Sequence, residues 1–189
     1  MKDPDRDLIA KAKKGSVRAF GKLIQKYHRE ILYLAYDLLG NYEDAKDLAQ
    51  EAFLRCYEKL GGFEERSRFS TWLFRITINL GIDFHRRNNR TPLQSIEENL
   101  QKKYHRSFAE HPTTILSPQL LVERKELKQH MELALHKLSM NQRTVVVLKY
   151  FHQKSTKEIS EILKCQEGTV RIHTFRAMNN LKKHLSLFK

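Results

Sequence analysis

Between Trp72 and Phe84 every even position is apolar: Trp72, Phe74, Ile76, Ile78, Leu80, Ile82 and Phe84. Period two over that length reads as a half-buried β-strand. Yet the segment FSTWLFRITINLGIDFHRR (69–87) ends in three basic side chains, and nothing near it resembles a strand partner. An unpartnered strand would leave its backbone donors and acceptors unpaired, a cost that no side chain offsets. Rewound at ~100° per residue, the same residues form an amphipathic helix. Phe69, Leu73, Ile76, Leu80 and Phe84 make one apolar stripe, and Phe74, Ile78 and Ile82 a second. Small Thr77 and Gly81 lie between the stripes, where a neighbouring helix can approach closely. Arg75, Asn79, Asp83 and Arg86 share the remaining polar face, which is expected to stay open.

The helical reading fits what flanks this segment. Glycine and proline number only 7 and 4 in 189 residues. Gly15-Ser16 opens a run in which Phe20, Leu23, Ile24, Tyr27, Ile31, Leu34 and Leu38 recur at spacings of three and four, as on one helix face, up to Leu39-Gly40. Asn41 then supplies an N-cap oxygen, and Glu43 and Asp44 suit the positive end of the next helix. That helix carries Ala45, Leu48, Ala49, Ala52, Phe53 and Tyr57 and stops at Gly61-Gly62. From Asn88 to Ser117 the periodicity fades in a polar stretch broken by Pro92 and Pro112, with Pro118 following, which reads as a linker with at most one marginal helix. Helical spacing returns over Leu120–Leu138, along Leu127, Met131, Leu135 and Leu138. The expected fold is therefore all-α: two small helical domains, 1–90 and 119–189, joined by a flexible linker, 91–118.

The C-terminal block carries a motif. Ser155 and Glu158 have capping-box spacing at the start of a short helix with Ile159, Ile162 and Leu163 facing inward. Lys164-Cys165-Gln166 make a tight connection, and a second helix begins near Glu167. Two short helices so joined are a helix-turn-helix, whose second helix enters the major groove of DNA. From Gly168 to Lys189 there are five basic residues and no acid. The spacing assigns Val170, Ile172, Met178 and Leu181 to the inward face and Arg171, Thr174 and Arg176 to the outward one. Arginine can bond guanine bidentately, and a helix N-terminus can hold a phosphate. The whole chain carries 35 Lys+Arg against 22 Asp+Glu, a formal charge of +13, which favours nucleic acid or another anionic surface as partner.

Other chemistries find little support. Cys56 and Cys165 lie far apart in no metal-ligand spacing, and the nine histidines form no HExxH pattern. No paired carboxylates, nucleophile–base set or glycine-rich phosphate loop occurs with suitable spacing. The N-terminus MKDPDRDLIAKAKKG lacks the apolar core of a signal peptide, so a cytoplasmic protein is expected. No enzyme, cofactor, metal or small-molecule substrate is expected. A simple duplex-binding regulator would use the helix-turn-helix alone and leave the rest of the chain without a role.

Taken in order, the segments resemble a known family. AKDLAQEAFLRCYEKL (45–60), FSTWLFRITINLGIDFHRR (69–87) and LHKLSMNQRTVVVLKYFHQKSTKEISEILKCQEGTVRIHTFRAMNNLKKHL (135–185) are similar to regions 2.2, 2.3–2.4 and 4 of the bacterial extracytoplasmic-function (ECF) sigma factors, the small two-domain initiation subunits of RNA polymerase. The resemblance implies core-polymerase docking through Asp47, Gln50 and Glu51, within the acidic strip Glu43, Asp44, Asp47 and Glu51. It implies recognition and opening of the −10 promoter element by the loop GGFEERSR (61–68) and the helix that follows. Glu65, Arg66 and Ser67 would line a base pocket there, and Asn79, Arg86 and Arg87 would hold bases or backbone of the separated strand. Trp72, at the edge of the polar face, would stack on a base or close the core. The resemblance assigns Arg171, His173, Phe175 and Arg176 to the duplex −35 element. Ile172 and His173 depart from the Ser and Arg common at these positions, and Lys164 stands where the turn often has Gly. The implied partners are core RNA polymerase, promoter DNA (duplex −35, single-stranded −10) and an anti-sigma factor.

Overall fold

The computed structural model describes residues 3–88 and 130–185. The expected linker 91–118 and the helical run through Leu127 lie outside them. Helices α1 (Arg6–Lys13), α2 (Val17–Leu39), α3 (Tyr42–Lys59) and α4 (Phe69–Asn88) form the first block, with a 3-10 turn at Leu60–Gly62. The second block contains helical residues 130–136, then α5 (Met140–Val146), a π turn (Val147–Phe151), α6 (Thr156–Leu163) and α7 (Glu167–Leu185). There is no strand among the described residues.

The helix ends fall where the side chains allow. The Ser16 hydroxyl accepts from the Ala19 amide at 3.3 Å, and Gly40, at φ 72°, ends α2 in the left-handed conformation. The Asn41 side chain accepts from the amides of Glu43 and Asp44, at 2.9 and 3.4 Å. Asp3 reaches across the block to accept from the Phe69 amide at 2.5 Å, so an anionic oxygen satisfies a donor at the start of α4. Asp5 is buried, and it accepts from Lys26 and from the Tyr27 hydroxyl. Burial, then that bond, raises the Tyr27 phenol well above its ordinary value, so it stays the donor.

The alternating segment is a helix from end to end. Its buried centre is Phe69, Leu73, Phe74, Thr77, Ile78 and Gly81, which runs between the two apolar stripes, while Ile76, Leu80 and Ile82 close the margins. Thr77 fits there because its hydroxyl donates to the Leu73 carbonyl at 3.0 Å. At Gly81 a Cβ would lie 3.4 Å from Leu38 Cδ1 of α2, 3.6 Å from Leu48 Cδ2 of α3 and 3.7 Å from Met140 Cε of α5. Three helices thus converge on one small residue. The polar face of α4, expected to be open, is partly covered by α6: Arg75 donates to the carbonyls of Ile162 and Glu161, at 3.0 and 2.7 Å.

One hydrophobic cluster spans both blocks. It joins Leu23, Ile31, Leu34, Leu38, Leu73, Phe74 and Ile78 to Met140, Val147, Leu148, Ile159, Ile162 and Val170. A second cluster, Ala134, Leu135, Leu138, Val146, Ala177 and Leu181, seats the C-terminal half of α7 on the start of its block. In α7 the inward stripe is Val170, Thr174, Ala177 and Leu181. The expectation for this helix is corrected at three positions. Ile172 and Met178 are 52% and 44% exposed, and Thr174 is buried, its hydroxyl donating to the Val170 carbonyl at 2.8 Å. Apolarity misassigned the phase, because a threonine that bonds its own helix packs as well as an aliphatic side chain.

Gly81→Ala should be tolerated, since the new methyl meets side chains at ordinary contact distance. Gly81→Ile should cost ~1–3 kcal/mol through overpacking, read as a lower midpoint in urea denaturation.

Candidate nucleic-acid interface

The loop before α4 is held by α1. Lys13 donates to the Phe63 carbonyl, and Glu65, at φ 57°, lies 3.6 Å from Arg6 and 3.7 Å from Lys13. Phe63 turns inward and stacks on Trp72, with ring centroids 4.8 Å apart and planes at 26°. Trp72 also lies 5.9 Å from Phe69, so of its two readings the structure shows the packed core edge. Glu65, Arg66 and Ser67 form one wall of a cleft of about 710 Å³, faced from α6 by Lys157, Glu158 and Glu161. The three loop residues are therefore brought together, but opposite an element of the other block. Arg66 is paired with Glu64 at 2.7 Å.

Asn79, Arg86 and Arg87 are exposed further along α4, away from that cleft. At 1.5 Å rise per residue, ~24 Å of helix separates Thr71 at the cleft from Arg87. Arg86 lies 3.5 Å from Asp83. Burial, with the Arg143 charge nearby, pushes His85 below its ordinary value, so the positive end of α4 at neutral pH is Arg86 and Arg87.

On α3, Asp47 and Gln50 are exposed and Glu51 is half-buried. The acidic strip is weaker than its sequence suggests. Glu51 accepts from Arg55 at 2.7 Å and Glu43 from Lys46 at 3.1 Å, both ordinary pairs along a helix surface. Leu54 and Tyr57 continue the line of Asp47 and Gln50 at spacings of four and three, and they are 54% and 44% exposed. Sequence reasoning missed Leu54 and placed Tyr57 inward. Tyr57 does touch Phe20, centroid to centroid 4.9 Å, but from the rim.

The helix-turn-helix is formed by α6, a turn at Lys164–Gln166 and α7. The Ser155 hydroxyl accepts from the Glu158 amide at 3.2 Å, and the Ser155 amide donates to Glu158 at 2.8 Å, completing the capping box. The Ser155 amide, and its hydroxyl at 2.7 Å, both donate to the Glu158 carboxylate and hold it below the usual carboxylate range. Lys164 takes the left-handed conformation, φ 52° and ψ 46°. On α7, Arg171, Phe175 and Arg176 are exposed and His173 is half-buried. Arg171 pairs with Glu167 at 3.0 Å, which leaves the 68%-exposed Phe175 ring and Arg176 on the outward face beside Ile172. Asn180 donates to Gln142 at 3.0 Å, fixing α7 to α5.

Residues 23–91 match the family description Sigma-70 region 2, and residues 129–181 match Sigma-70, region 4. The chain is 36% identical over 181 residues to the ECF RNA polymerase sigma factor SigW of Bacillus subtilis, covering 94% of each protein. The chain belongs to the ECF sigma factors. It is also 32% identical over 184 residues to the RNA polymerase sigma-H factor of Pseudomonas aeruginosa, covering 97% of this chain and 94% of that one. Against the ECF RNA polymerase sigma-E factor of Escherichia coli K12 the identity is 30% over 173 residues, covering 92% and 90%. A solved structure of the sigma factor RpoE from Bartonella quintana, in complex with the anti-sigma factor NepR, is similar with TM-score 0.63 and 25% identity, covering 92% of this chain and all of that one. CnrH, solved with the cytosolic domain of CnrY, shares the fold at TM-score 0.67 and 23% identity, over 99% of this chain and 100% of that one. An ECF sigma factor is a transcription initiation factor, not an enzyme. No helix among the described residues is long and apolar enough to cross a membrane.

Lys164→Gly in this sigma factor should stabilise the helix-turn-helix. Relief of the left-handed conformation is worth ~1–2 kcal/mol, against ~0.5–1 kcal/mol for the added freedom of the unfolded chain. A rise in thermal midpoint with an unchanged circular dichroism spectrum is the expected result.

Proposed function

We propose that this sigma factor directs core RNA polymerase to its promoters by binding the −35 element as duplex and the −10 element as a separated strand. The carrying observation is the division of labour on its surface: a face with exposed Asp47, Gln50 and Leu54 on α3, a basic end on α4, and an exposed Arg-Phe-Arg face on α7. The α3 face suits a protein partner. Its few charges set orientation and encounter rate, while Leu54 and Tyr57 supply apolar area at its centre. Residues 1–90 would carry docking and −10 recognition, and residues 119–189 the −35 contacts.

In the −10 step, the loop residues Glu65, Arg66 and Ser67 take an unstacked base, and Asn79, Arg86 and Arg87 hold the strand that leads to it. In the −35 step, Arg176 and Arg171 reach base edges or phosphates while Phe175 and His173 flank them. Ile172 lies opposite the inward stripe of α7, at the middle of the reading face. An aliphatic side chain there suits a thymine methyl, so the −35 preference differs from that of relatives with serine at this position. An anti-sigma factor, like the partner in the Bartonella quintana complex, would hold the protein inactive in the cytoplasm until its signal arrives.

The test is transcription by purified core polymerase with this protein on a library of random promoters. Transcripts sharing two upstream motifs are expected. Their absence, with tight duplex binding by the protein alone, would overturn the proposal in favour of a simple regulator. Asp47→Lys with Glu51→Lys should abolish polymerase binding in a pull-down while leaving the circular dichroism spectrum intact. Arg176→Ala should weaken binding at the preferred −35 sequence by ~1–3 kcal/mol if it bonds a base bidentately. A titration on cognate and scrambled duplexes separates that from a phosphate contact, which would weaken both equally.

A further inference from the structure

Between Leu8 and Arg29 the chain carries seven basic residues and no acid. Two are used within the block: Lys13 engages Phe63 and Glu65, and Lys26 engages Asp5. The other five, Lys11, Lys14, Arg18, Lys22 and Arg29, are exposed and form no ion pair among the described residues. Arg6, Lys46, Arg55, Arg66 and Arg86, by contrast, each lie beside a carboxylate, at 2.7–3.6 Å. Arg18, Lys22 and Arg29 follow one another at spacings of four and seven. With Gln25 between them they share the outward face of α2, opposite Phe20, Tyr27 and Leu34. Arg29 closes the stripe 5.9 Å from the Tyr33 ring centroid.

Local chemistry does not account for this stripe. The positive end of a helix disfavours a cation, and α1, α3, α6 and α7 each place an acid in the first turn. α2 has no acid there; Arg18 takes the position, with Lys22 one turn on. Dipole and side chains add to one positive potential, which no acid among the described residues pairs with. From Arg18 to Arg29 no large apolar side chain is exposed. A protein interface needs a desolvated apolar centre, of the kind that Leu54 and Tyr57 give α3, and a membrane surface needs an apolar anchor. A phosphate backbone needs only cations along its path. At 1.5 Å per residue Arg18 to Arg29 covers ~16 Å, about five phosphates of one strand at ~3.4 Å each.

The stripe begins beside the −10 loop, because Lys14 follows the lysine that holds Phe63 and Glu65. The chain toward region 4 leaves from the far end of α4, after Arg87. We propose that Lys14, Arg18 and Lys22, with Lys11 and Arg29 at the margins, are a further nucleic-acid surface. They hold phosphates of the promoter strand where it leaves the −10 loop, on the side away from the −35 element, without reading its bases. The proposal rests on the −10 role given above to the loop.

The test uses core polymerase with the full chain on two forked templates of a promoter selected with the wild type. In one the single strand ends at the −10 element; in the other it continues well beyond. Lys14→Gln with Arg18→Gln and Lys22→Gln should weaken binding to the long template and leave the short one unchanged. On the long template the slope of log K against log salt should flatten by ~2, three single-strand contacts at ~0.7 each. Lys14→Arg with Arg18→Lys and Lys22→Arg should keep the wild-type slope. Should the triple glutamine variant not fold, Lys22→Gln alone should flatten the slope by ~0.7. Equal slopes for wild type and glutamine variant, or an equal loss on both templates, would overturn the proposal. So would weaker binding of that variant to core polymerase without DNA, which gives the face to a protein partner. If wild-type holoenzyme binds neither template, the −10 reading falls and this proposal with it.

Discussion

The convergence of α2, α3 and α5 on Gly81 of α4 organises the described chain. A helix buried on several sides needs small residues where its neighbours cross, and Thr77 and Gly81 supply them one turn apart. Around that seam Phe69, Leu73, Phe74 and Ile78 bury fully, each worth ~1.5–3 kcal/mol relative to exposure. Everything proposed to touch DNA in the first block is then displayed relative to one rigid rod. The cleft loop leads into its start, Asn79 lies beyond its middle, and Arg86 and Arg87 mark its end.

The start of α4 is fixed by residues remote in sequence. Asp3 caps it, Asp5 accepts from Lys26 and Tyr27, and Arg6 and Lys13 engage Glu65. The short N-terminal helix thus acts as a brace for the loop, and the stacked pair Phe63 and Trp72 closes it from beneath. Such support suits the proposed role of the loop in receiving a flexible strand, since ordering it beforehand lowers the entropy lost on binding.

Much of this was legible in the sequence, for identifiable reasons. The caps at Asn41 and Ser155, the opening at Gly15-Ser16 and the stop at Gly40 are local chemistry, and they stand where the sequence put them. The helical nature of 69–88 followed from the absence of strand partners, and the all-α class followed with it. What was not legible lay in phase and in long-range contact. Ile172 and Thr174 exchange their expected places because hydrophobicity alone does not register a threonine bonded to its own helix. Leu54 carries no mark that distinguishes an exposed leucine from a core one. Arg75 looked like a surface charge and Arg143 carried no mark of a buried role, because an arginine whose acceptors are backbone carbonyls has no partner visible as a residue type.

That choice of acceptor also bears on how the two blocks hold together. A bond from guanidinium to carbonyl can be exchanged for bonds to water on both sides, so its net contribution is small compared with its gross strength. The Lys154–Glu30 ion pair at the rim is partly exposed, which weakens it further. The buried apolar side chains of Met140, Leu148, Ile159 and Ile162 share one cluster with the first block and carry more of the junction than its polar contacts do. The polar contacts therefore fix the geometry of the junction more than its depth.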